Sequence, residues 1–81
     1  MISSEQVKAA RALLGWSASV LAGESGVGLT TIRRYEMTSG VPKAQLDKLT
    51  RIKSTLEAAG IEFTGNPEVD PGVVLHLKPP E

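Results

Sequence analysis

The chain is 81 residues long, 41% apolar and 22% charged, the composition of an ordinary globular protein with room for one core but not two. It holds no cysteine and a lone histidine, His76, which excludes a disulfide framework or a thiolate metal site and argues against zinc, and its apolar runs are too short to span a bilayer. Its 9 basic and 9 acidic residues cancel, but Arg33, Arg34, Lys43, Lys48, Arg51 and Lys53 cluster against only Glu36 and Asp47, while the stretch after Leu56 is acidic, so a neutral chain can still carry a locally positive field.

Ser3 opens the first predicted helix, with Gln6 at capping-box spacing and Ile2 and Val7 where a hydrophobic staple would close. Val7, Ala10 and Leu14 recur on one face, and Gly15 suits a left-handed stop. Ser17 caps a second, short helix, flanked by Trp16 and Leu21 in staple positions and ended by Gly26. Val27 and Ile32 repeat the staple spacing around Gly28, so a third helix runs from about Leu29 to Met37, before Ser39 and Gly40 break it.

Pro42 suits the first turn of a fourth and longest helix, in which Leu46, Leu49, Ile52 and Leu56 recur at threes and fours up to Gly60. A Schellman end at Gly60 would bring Leu56 against Ile61. Two short strands follow, around a loop from Gly65 to Gly72 that contains Pro67 and Pro71. Ile61 with Phe63, and Val73 with Leu75 and Leu77, each face one way at period two. A lone hairpin is marginal in water, so the strands must pack on the helices or pair with a second copy across a dimer axis.

Ala22, Gly26 and Ile32 have a joint geometric meaning: a small residue where two helices approach, a glycine for the tight turn, and an apolar anchor on the next helix. Such a pair lets one helix cross the DNA backbone while the other presents its N-terminal part to base edges. Around this pattern the sequence resembles the Cro and phage-repressor-like (Xre) helix-turn-helix regulators. The residues that carry the likeness are Arg11-Ala12-Leu13-Leu14-Gly15-Trp16-Ser17, Leu21-Ala22, Ser25-Gly26-Val27, Thr31-Ile32-Arg33-Arg34-Tyr35-Glu36 and Pro42, and it covers about Val7 to Ala59.

The resemblance implies a mainly α fold. Residues 1–60 would be a four-helix repressor-like DNA-binding domain, and residues 61–81 a short C-terminal β-hairpin or dimer-swapped strands, the candidate dimerisation element. Carried over by position, it implies that Leu29, Thr30 and Arg34 face the major groove, Arg34 reaching guanine O6 and N7 bidentately and the other two a base edge or thymine methyl. It also implies phosphate contacts at Ser17, Gly28, Thr31, Arg33 and Lys43, with Gly28 opening the helix so that backbone N–H groups meet a phosphate. The chain departs from the family at Ala18, where many members place a glutamine on the DNA backbone, at Gly28, where many place a capping serine, and in having no evident fifth helix.

Blander readings stand beside these. A leucine on an amphipathic helix is by default a core residue, and paired arginines by default a solvated face; the place of Leu29, Arg33 and Arg34 in the pattern favours contact instead. Glu36 reads as structural, pairing with a basic residue such as Arg11 or Arg33. Trp16 and Tyr35 read as core or rim, since stacking on unpaired bases needs a platform of aromatics, and His76 as an exposed polar residue.

No catalytic constellation is present and Gly26-Val27-Gly28 is too short for a phosphate loop, so neither an enzyme nor a cofactor is expected. Met1 to Val7 has no basic segment followed by an apolar run, which leads to a cytoplasmic expectation. The function expected is a transcriptional regulator, a repressor that binds double-stranded DNA as a homodimer on a pseudo-palindrome. The alternative is a protein-interaction module, an antitoxin or phage accessory factor with secondary DNA binding, to which the neutral charge and acidic tail lend support.

Overall fold

Capping residues decide where this chain turns helical. The computed structural model describes residues 2–40 and 46–77, in the order α1 (Ser4–Leu14), α2 (Ala18–Ser25), α3 (Leu29–Met37), α4 (Leu46–Ala58), β1 (Ile61–Thr64) and β2 (Gly72–Leu75). Pro42 and Lys43 lie outside the described residues. Ser3 sits extended before α1; its Oγ accepts the Gln6 N–H at 3.1 Å, and the Gln6 side chain accepts the Ser3 N–H at 2.9 Å, closing the capping box that the sequence predicts. Gly15, at φ 70°, ends the helix in a full Schellman motif: its N–H reaches Ala12 O, and the Trp16 N–H reaches Arg11 O at 2.9 Å.

The next two helices follow the same logic with one difference. Ser17 caps α2 by accepting the Val20 N–H at 3.1 Å, and Gly26, at φ 72°, closes it with a single bond to Ala22 O. Gly28 precedes α3 with no side chain to offer, so that helix begins without a side-chain cap. At the end of α4 the Gly60 N–H bonds Glu57 O at 3.0 Å, and Leu56 and Ile61 on either side of the turn are both buried.

The apolar faces of these elements meet in one core of Ile2, Val7, Ala10, Leu21, Val27, Ile32, Tyr35, Leu49, Ile52, Leu56 and Ile61. Each fully buried Leu or Ile among them contributes on the order of 1.5–3 kcal/mol. The protein is mainly helical with a short antiparallel hairpin, its strands pairing within one chain in the register Ile61↔Leu75, Glu62↔Val74, Phe63↔Val73 and Thr64↔Gly72. Phe63, Val73 and Leu75 lie against the helical core, and the Gln6 amide ties the hairpin to α1 by donating to Thr64 O at 3.2 Å and Gly72 O at 2.9 Å.

Leu77 departs from expectation. Period two placed it on the inner face beside Val73 and Leu75, but it is 86% exposed. The strand ends at Leu75 because its partner begins at Ile61, and Gly60, at φ 106°, turns that partner back into α4. The bond from the His76 N–H to Gly60 O at 2.8 Å is the last rung, and opposite Leu77 stands the end of a helix. Among the described residues no helix is long and apolar enough to cross a membrane.

Candidate nucleic-acid interface

Helix α3 has two unlike faces. Ile32 and Tyr35 point into the core, and at about 100° per residue the direction opposite them is occupied by Thr30, Arg33, Arg34 and Met37. All four are exposed, while Leu29, Thr31 and Glu36 are half-buried along the flanks. Neither Arg33 nor Arg34 enters an ion pair among the described residues, so both guanidinium groups are available to a ligand.

What fixes the orientation of this helix is a forked contact from α1. Arg11 Nε donates to Glu36 Oε2 and Arg11 Nη2 to Glu36 Oε1, each at 2.6 Å, and Arg11 Nη1 donates to Trp16 O at 2.9 Å. Of the two partners open to Glu36 from sequence, Arg11 is the one that holds it, because Glu36 turns to the inner flank of α3 and Arg33 to the outer stripe. The two side chains are only 21% and 11% exposed, and the hydrogen bond to Glu36 holds the Arg11 pKa above its ordinary value, ahead of the opposing effect of burial. A planar two-point contact resists rotation of one helix against the other, which a single bond would allow.

The segment that leaves α3 is held as well. Ser4 Oγ donates to Thr38 O, the Ser4 N–H donates to Gly40 O at 2.8 Å, and the Gly40 N–H donates to Glu5 Oε1 at 3.0 Å. The Glu5 carboxyl is accordingly held below its ordinary pKa, first by its own backbone N–H and then by that of Gly40.

At the other end of the helix, Gly28 provides no side-chain acceptor, and the N–H groups of the first turn have no capping side chain. Gly28 and Thr30 are exposed there and Thr31 is half-buried beside them. Of the residues that the sequence nominates, Thr30, Arg33 and Arg34 share the outer stripe, Leu29 stands half-buried at its edge, and Gly28 and Thr31 lie at its N-terminal end. Ser17 belongs to a different element, exposed at the start of α2, where its Oγ already serves as the cap. Lys43 falls outside the described residues.

Two residues of this region have more to do in the structure than the sequence assigns them. Arg11, in sequence one of two possible partners of Glu36, is the residue that holds α3 to α1, and nothing local distinguishes it from other surface arginines. Met37, in sequence only the end of α3, is 86% exposed on the arginine stripe. Its spacing from Arg33 and Arg34, one turn on, was the available signal.

Elsewhere, His76 Nε2 lies 2.7 Å from Glu62 Oε1 on the outer surface of the hairpin, both groups half-exposed. No group of three or more His, Cys, Asp or Glu among the described residues could hold a metal ion. No known family model matches this chain, and no curated protein matches it at a significant level.

Proposed function

We propose that this protein is a sequence-specific double-stranded DNA-binding regulator, a repressor built on a four-helix repressor-like domain, with α3 as the helix that enters the major groove. The observation that carries this reading is the two-sided character of α3: Ile32, Tyr35 and the Arg11–Glu36 fork lock one side, and the opposite side offers Thr30, Arg33 and Arg34, the two arginines without an ion-pair partner among the described residues. A rigid rod with free guanidinium groups along one edge suits both requirements of a groove reader, neutralising phosphates and addressing base edges. In this proposal Arg34, Thr30 and Leu29 address bases, and Arg33, Thr31, Gly28, Ser17 and Lys43 address phosphates.

The regulator would act in the cytoplasm as a homodimer, its half-sites about one helical turn apart. The hairpin is the element proposed to join the copies. Its inner face is occupied by its own core, so contact would use Val74 on the outer side and Leu77 just beyond the end of the strand, both of them exposed. Light scattering on the full chain would then give twice the monomer mass.

The test of DNA binding is a titration of labelled random duplex at increasing salt. Displacing counterions makes log K fall linearly with log salt, by about 0.9 per phosphate neutralised. A steep fall supports the proposal. Absence of binding at low salt would leave the rival account, a module whose helices hold a partner protein.

A further inference from the structure

Resting on the DNA-binding proposal, we infer that Met37 is a specificity-determining residue, which reads a thymine by packing on its C5 methyl group. The side chain is 86% exposed, a value matched among the large apolar side chains of the described residues only by Leu77. At about 100° per residue, Met37 lies about 20° from Thr30 and between Arg33 and Arg34 on the outer stripe, directly away from the buried pair Ile32 and Tyr35. An apolar side chain in that direction can contribute nothing to the core.

Its neighbours decide what it can meet. An apolar partner protein would have to desolvate two guanidinium groups, Arg33 and Arg34, that pair with no carboxylate among the described residues. A DNA groove instead supplies phosphates and guanine edges for the arginines. It also offers one apolar group at the same depth, the thymine methyl. Methionine suits the contact because its unbranched thioether adapts to an irregular surface. The residue stands about 10 Å along the helix axis from Thr30, so its base pair would lie toward the edge of the half-site, away from those addressed by the first turn.

The test begins with a duplex selected from a random pool by the full-length protein. Each thymine in it is replaced in turn by uracil, which removes the methyl group and keeps every hydrogen-bonding edge. For the unaltered protein, one such replacement should weaken binding about fourfold, the loss of one buried methyl group at about 0.8 kcal/mol. Met37→Ala should abolish that penalty at that position alone, and Met37→Leu should retain it. Circular dichroism of both variants should match the parent, since the side chain is outside the core. A thymine-to-uracil profile identical in the parent and in Met37→Ala would overturn the inference while leaving the DNA-binding proposal intact. No duplex binding by the parent protein would overturn both.

Discussion

The first turn of α1 and the first turn of α3 are built from similar small polar residues, and they are put to opposite use. At α1, Ser3, Ser4 and Gln6 are buried, and every one of their side chains is bonded within the chain: to each other, to Thr38 O, or to the hairpin carbonyls of Thr64 and Gly72. At α3, Gly28 offers no cap, Thr30 faces water, and the arginines that follow have no acidic partner among the described residues. Polar groups buried away from water must be satisfied internally or they cost free energy, whereas groups left in water retain the capacity to bind something else. The contrast locates the structural end of the molecule and the end available to a ligand, and it can be probed from both sides.

The largest effect should come from Gln6→Leu. The side chain is 3% exposed, and the change strands the Ser3 N–H and the carbonyls of Thr64 and Gly72. At roughly 1–3 kcal/mol for each unsatisfied buried group, with partial relaxation, a loss of about 3 kcal/mol is expected from the urea midpoint. A loss below about 1 kcal/mol would show that the α1 turn is not the structural clamp described above.

A smaller effect, of opposite sign, is expected of Gly28→Ser. The new Cβ meets nothing closer than Thr31 Oγ1 at 4.0 Å, and the hydroxyl supplies the cap that α3 lacks. Stability should rise by a few tenths of a kcal/mol, the usual difference between glycine and serine at an N-cap. A decrease in the same urea experiment would mean that the first turn of α3 is already satisfied.

The smallest effect concerns acid. Because the folded state holds Glu5 below its ordinary pKa, the carboxylate favours folding at neutral pH, and that contribution disappears as the pH falls through the depressed value. Glu5→Gln should therefore be less stable than the parent at neutral pH and approach it on acidification. A stability difference that is constant across this range would separate the Gly40 contact from the charge on Glu5.

How much of this was legible beforehand depended on sequence distance. The limits of α1 and α2 follow from Ser3, Gly15, Ser17 and Gly26, whose capping bonds close within a few residues and so leave a local signature. The outer stripe of α3 is likewise a matter of period. By contrast, Gln6 looks in sequence like half of a capping box, and nothing nearby reveals that its amide also reaches carbonyls 58 and 66 residues away. The Arg11–Glu36 fork spans 25 residues, and only the packing of α3 on α1 selects it over a pairing within α3. Leu77 misled because alternation continues in the sequence after its partner strand has turned away at Gly60. Met37 reads in sequence only as a helix end, because its place on the outer stripe shows once Ile32 and Tyr35 are seen to face the core.

The central claim is that the outer stripe of α3 reads DNA, with its two arginines in different roles. The most direct measurement compares the parent, Arg34→Ala and Arg33→Ala on a selected duplex and on random duplex across a range of salt. Arg34→Ala should lose about 1–3 kcal/mol on the selected sequence and little of the preference-free binding, because it gives up a bidentate base contact. Arg33→Ala should weaken both duplexes alike and make the salt slope shallower by about 0.9, the signature of one lost phosphate contact. Equal losses on both duplexes in both variants would contradict the division of roles, and unchanged affinity in both would remove α3 from the interface.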